Sequence, residues 1–125
     1  MKATYRVVLS LVLLLGIMAP LSYAGTKYGQ PISIRKVTEV RDILVAPMAY
    51  EGKLVTIEGT IATEASNGSW FVVKAKEGAP IYVDIAKSGF VIPQHAGRDV
   101  LVEGTVVIKE SALMIQGRGV EVDWN

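Results

Sequence analysis

Two ten-residue stretches of this chain carry the same alternation of apolar and polar positions. Gly52-Lys53-Leu54-Val55-Thr56-Ile57-Glu58-Gly59-Thr60-Ile61 recurs 45 residues later as Gly97-Arg98-Asp99-Val100-Leu101-Val102-Glu103-Gly104-Thr105-Val106. Each copy opens on a glycine and a basic residue, alternates at period two, and closes on Glu-Gly-Thr and a β-branched residue. Successive side chains of a strand point to opposite faces, so the alternation assigns sides. Val55, Ile57 and Ile61 share one face, opposite Leu54, Thr56, Glu58 and Thr60. Farther on, Phe71 and Val73 oppose Trp70, Val72 and Lys74, and Ile81, Val83 and Ile85 oppose Tyr82 and Asp84. Val100, Val102, Val106 and Ile108 oppose Leu101, Glu103, Thr105 and Val107. The first set in each case is the expected core, and the second, including both Glu58 and Glu103, is the expected half-exposed outer face. Gly59 and Gly104 fall in register with the core residues. There a glycine leaves room in a crowded interior or lets a strand bend at a barrel corner.

The same pattern predicts strands at about Lys53–Ala62, Ser69–Ala75, Ile81–Ile85, Arg98–Lys109 and Leu113–Val122. Ser66-Asn67-Gly68 reads as a hairpin turn, Lys76–Pro80 as another turn, and Lys87–Gly97 as an irregular excursion. Upstream, Thr38–Ala46 reads as a helix with Thr38 as its cap, Glu39 in its first turn and Pro47 as its stop. Val37, Val40, Ile43 and Leu44 would share its buried face, and the helix would plug one end of the barrel. Pro31–Arg35 alternates like a short edge strand, and Gly25–Gln30 reads as a polar lead. Five strands, a glycine inside the first and an excursion between the third and fourth predict an all-β, five-stranded OB-fold-like barrel with a short N-terminal helix. A small open sandwich or SH3-like barrel is the other architecture considered. Residues 63–96 and 107–125 do not resemble each other, which excludes tandem repeats.

Residues 1–24 read as a signal peptide. Lys2 and Arg6 precede an apolar run from Val7 to Met18, Pro20 follows, and Ser22-Tyr23-Ala24 offers small residues before Gly25. The run is shorter than the ~20 apolar residues of a membrane span, and no cysteine follows it to make a lipoprotein site. The expected product is one exported domain, 25–125, with its helix at about 38–46 and its barrel at about 53–122, periplasmic or secreted and not membrane-spanning. Without Lys2 and Arg6 the chain keeps 11 basic and 12 acidic residues. That balance is no electrostatic footprint for a polyanion. With no cysteine, thiol chemistry and disulfides are excluded, and packing alone must hold the domain together.

Ordered fragments spread over the chain resemble a family. They are Tyr28-Gly29, Val40-Arg41-Asp42-Ile43-Leu44, Pro47-x-x-Tyr50-x-Gly52-Lys53, Val55-x-Ile57-Glu58-Gly59, Gly68-x-Trp70, Ile92-Pro93 and Glu103-Gly104. In order and spacing they resemble the secreted bacterial family called domain of unknown function 4920. The resemblance implies an OB-like barrel and export, and supplies no activity. The family's glycine-cysteine-tryptophan triplet is here Gly68-Ser69-Trp70, and its earlier cysteine falls near Glu64 or Ala65. Chemistry through that cysteine pair is therefore closed to this chain.

Trp70, Tyr82, Glu58, Lys74 and Asp84 fall on the outward face of the first three barrel strands, where OB-folds bind oligonucleotides or oligosaccharides and where aromatics can stack on a ligand. The bland alternative places Trp70 under the N-terminal strand or helix. Glu58 and Glu103 as an acid–base pair would need a cleft, which outward strand faces do not supply. His95, the sole histidine, lacks the companions of a metal site and reads as a solvated loop residue. Ser88, His95 and Asp99 lack a nucleophile elbow. Gly117-Arg118-Gly119 precedes no helix to bind phosphate. The expectation is a non-catalytic binding module without metal or cofactor, its partner an envelope protein segment or a small envelope ligand. Single-stranded nucleic acid is the alternative, raised by fold analogy and opposed by the neutral charge.

Overall fold

The repeated phrase pairs with itself. A computed structural model describes residues 25–124, in which strand β2 (Leu54–Glu64) runs antiparallel to β5 (Asp99–Lys109). Ile57 lies opposite Val102, the sixth position of each copy, so a local two-fold relates the two. Each glycine then faces the valine at the fourth position of the other copy, Gly59 against Val100 and Gly104 against Val55.

The glycines mark where each strand meets a second neighbour. A Cβ on Gly59 would stand against the Lys74 carbonyl of β3 (Trp70–Lys74), and one on Gly104 against the Gln116 carbonyl of β6 (Ala112–Val122), both far inside van der Waals contact. At Thr60, β2 exchanges β5 for β3. At Glu103/Gly104 the β5–β6 register shifts. Both places are barrel corners. Strand β4 (Pro80–Asp84) follows β3, and its parallel pairing to β6, Val83 with Ile115 and Asp84 with Gln116, closes a five-stranded barrel of the OB type. The barrel encloses Phe71, Ile57, Ile61, Val73, Val83, Val100 and Val102, all buried, as the alternation predicts for its first face, and Ile115 of β6 joins them. Ile108 lies at the barrel's margin and stays half-buried.

The N-terminal region departs from expectation. The sixth strand, β1, is Thr26–Gly29, paired to β6 from Val122 to Gly119; the segment read as a polar lead is the strand. Pro31–Arg35, read as a strand, instead crosses the outer face of β2 and β5 as an extended arm. Its partners are side chains. The amides of Ser33 and Ile34 donate to the Glu103 carboxylate at 2.9 and 2.7 Å, and Thr56 Oγ1 donates to the Ile34 carbonyl at 2.5 Å. Ile32, within the arm, is buried. Thr38 is not a cap: its amide donates to the Thr56 carbonyl at 2.7 Å, and Glu39 occupies the cap position of helix α1 (Val40–Val45) without a side-chain bond. Pro47 follows α1 and opens a second short turn, α2 (Pro47–Tyr50), because its fixed φ and missing N–H suit a first helical position. Val40 and Ile43 enter the core; Leu44, expected beside them, is exposed.

The expected exposure of Thr56, Leu101 and Glu103 is overturned, with the arm bonded to Thr56 and Glu103. All three point outward from the barrel by parity, yet all are buried, and Glu103 has no exposed surface. Burying a carboxylate is costly unless its oxygens are satisfied. Here Arg118 Nε donates to Oε1 at 2.9 Å, and Ser33 contributes its hydroxyl as well as its amide.

Candidate functional site

The arm stops short of the other half of the outer face. On β3 and β4, Trp70 and Tyr82 remain half-exposed, with ring centroids 5.5 Å apart and planes 30° apart. Trp70 is therefore not a core residue. The pairing produces the contact: Trp70 lies opposite Asp84 and Val72 opposite Tyr82, so the two rings are diagonal neighbours on one face. Partial burial, and then the Asp84 carboxylate, hold the Tyr82 hydroxyl above the usual tyrosine range. The ring thus keeps its proton and can donate a hydrogen bond. The Asp84 carboxylate accepts the Ala86 amide at 2.8 Å, which ties it to the turn of 3-10 helix at Ala86–Ser88.

Glu58 and Lys74 belong to an adjoining groove. Its volume is about 360 Å³, and it is lined by Glu58, Gly59 and Thr60, by Lys74, Ala75 and Lys76, and by Asp99 and Trp124. Lys74 and Trp70 share the outer row of β3, four residues apart, or ~13 Å along the strand. The five residues singled out from the sequence thus form one aromatic pair with Asp84 beside it and one charged pair in a groove. Trp124, Asp99 and Lys76 are additions of the structure. Trp124 follows the end of β6, and the Asp123 amide, bonded to the Asp99 carbonyl at 2.8 Å, brings that end beside the start of β5. No local sequence signal marks that juxtaposition.

His95 is not the solvated loop residue expected. Its Nε2 lies 2.9 Å from the Tyr28 hydroxyl, and its amide donates to the Glu64 carboxylate. Ser88 donates its hydroxyl to the Gly117 carbonyl, so the Ser88–His95–Asp99 arrangement is not assembled. Among the described residues no group of three or more His, Asp or Glu side chains is placed to hold a metal ion.

No protein-family model matches the chain, and no curated protein matches it. Solved structures do. The hypothetical protein ygiW from E. coli aligns at TM-score 0.51 with 24% identity, over 70% of this chain and 89% of that one. Asparaginyl-tRNA synthetase from Pyrococcus horikoshii aligns at TM-score 0.54 with 18% identity, over 71% of this chain but only 23% of the synthetase. OBody AM1L10, solved bound to hen egg-white lysozyme, aligns at TM-score 0.53 with 18% identity, over 74% of this chain and 96% of its own. These likenesses establish the OB-type fold.

Proposed function

We propose that this chain is an exported, non-catalytic binding module of the cell envelope that takes a protein segment or a small ligand on the outer face of β2, β3 and β4. The observation that carries the reading is the half-exposed Trp70–Tyr82 pair, because large aromatics left at a surface beside polar groups are the usual anchors of recognition. The pattern of residues 1–24, outside the described residues, supports export. The resemblance to domain of unknown function 4920 supports the same compartment. OBody AM1L10 supports the binding mode by analogy, being an OB-type domain whose solved partner is a protein.

A photo-crosslinking side chain at position 82, with a control at Lys109, tests the reading in the native envelope. A discrete adduct from position 82 alone is expected, and its loss on Trp70→Ala with the fold intact. Equal labelling from both positions would sink it. Mass spectrometry of the exported protein should find Gly25 as the first residue. Titration with single-stranded DNA at low salt separates the nucleic-acid alternative, since low salt maximises phosphate contacts. Saturable binding there, abolished by Trp70→Ala, would replace the proposed partner class.

A further inference from the structure

The groove beside the aromatic pair has a charge arrangement that the pair does not explain. Thr60 lies opposite Lys74 on one side and opposite Asp99 on the other. Lys74 and Asp99 therefore flank it on the outer face, two strand spacings or ~10 Å apart. Lys76 extends the cationic wall, and Glu58, diagonal to Asp99, extends the anionic one. Among the described residues none of these four forms an ion pair; the pairs are Arg35–Glu121, Arg98–Asp123 and Arg118–Glu103. Arg98 and Asp123, the neighbours in sequence of Asp99 and Trp124, are thus spent on each other. Trp124 lines the groove, half-exposed, and supplies its apolar surface.

We infer that this groove binds a short zwitterionic peptide, its carboxylate toward Lys74 and Lys76 and its ammonium toward Glu58 and Asp99. The inference deepens the binding reading above by naming a ligand class and a second subsite. A polyanion would gain at the lysines and be repelled at Glu58 and Asp99, and a neutral ligand would leave four charges unused. Length follows from the walls. An extended chain advances ~3.3–3.6 Å per residue, so two or three residues carry opposite terminal charges across the gap. One apolar side chain can lie on the Trp124 indole.

The molecule contains two tryptophans, one in each subsite, so the two indole N–H resonances report the subsites separately. The probe is the tripeptide Ala-Leu-Ala, titrated to millimolar concentration into the mature protein. The expected result is a saturable shift of the Trp124 indole with Trp70 unmoved. N-acetylation and C-amidation should each weaken binding about fivefold, the scale of an exposed ion pair. In Lys74→Gln, amidation should matter less, because the carboxylate has lost one of its two cationic partners. A Trp124 resonance that does not move, or equal binding of the doubly blocked peptide, overturns the inference. A shift confined to Trp70 also overturns it, while leaving the aromatic-face reading standing. If position 82 fails to crosslink while Trp124 responds, the aromatic face fails and the groove stands.

Discussion

Glu58 and Glu103 occupy the same position of the repeated phrase, beside equivalent glycines, on strands related by a two-fold through Ile57 and Val102. Their surroundings are opposite. Glu58 is half-exposed and lines an open groove with its charge unpaired among the described residues. Glu103 is fully buried and holds the Ser33–Ile34 arm and Arg118. The barrel treats the two copies alike, since both bend at the glycine against a neighbouring carbonyl. What separates them is a chain segment some 70 residues away that covers one and not the other. The lesson concerns equivalence: a repeated strand phrase repeats its backbone role, and the outward residue takes whatever role the covering chain assigns.

The strongest way to break this comparison is at its shared element. Gly59→Ala and Gly104→Ala should each cost about 3 kcal/mol or more, because the new Cβ meets backbone that cannot move aside. Urea denaturation of both variants checks it. If one is severe and the other neutral, the corners are not equivalent and the two-fold is superficial.

The next effect should distinguish the copies. Glu103→Ala removes the acceptor of two backbone amides and the ion-pair partner of Arg118, and should cost about 2–4 kcal/mol. Glu58→Ala should stay within about 0.5 kcal/mol. Comparable losses from the two would mean that the arm does not make Glu103 special.

Acid sharpens the same contrast. Burial alone would raise the Glu103 carboxyl. The Ile34 amide, Arg118 and Ser33 together outweigh burial and hold the group below the usual carboxylate range. The folded state then binds this proton less readily than the unfolded chain. The stability from Glu103 is therefore complete above the ordinary glutamate pKa and is lost as pH falls through the depressed folded value. Wild type should exceed Glu103→Gln at neutral pH, and the gap should narrow as pH falls through that window. A gap that does not change with pH would show that ionisation contributes nothing.

The smallest expected effect lies in the hairpins that follow each copy. After the first, Asn67-Gly68 turns the chain with Gly68 at φ 73°. After the second, Glu110 and Ser111 take φ 53° and 66°, a two-residue turn that Asn-Gly would suit better. Replacing them by Asn-Gly should add about 0.5–1 kcal/mol, read from the denaturation midpoint. No gain would show that the Glu110-Ser111 turn carries little strain.

Much of the barrel was legible because it rests on local rules. The five strands fall within one or two residues of their predicted bounds, and for the four strands given an apolar face that face is largely the core, since period-two alternation reports burial wherever one face meets an interior. The helix was legible only in part. Thr38 has the chemistry of a cap, but its amide is taken by Thr56, a contact that local sequence does not announce. Of the candidate residues, Trp70, Tyr82, Glu58, Lys74 and Asp84 could be placed outward by parity. Their division between an aromatic pair and a groove could not.

By itself, the sequence determined which positions face inward, where the strands turn, and that two glycines recur at matching bends. Those properties depend on neighbours along the chain and on the period of a strand. Only the tertiary structure decided that the two phrases pair with each other, that an N-terminal arm buries Glu103 while Glu58 stays open, and that Trp124 comes beside Asp99. Each of these joins residues distant in sequence. The physical reason is that a side chain's period fixes its direction, whereas its burial and charge depend on what long-range packing lays over it.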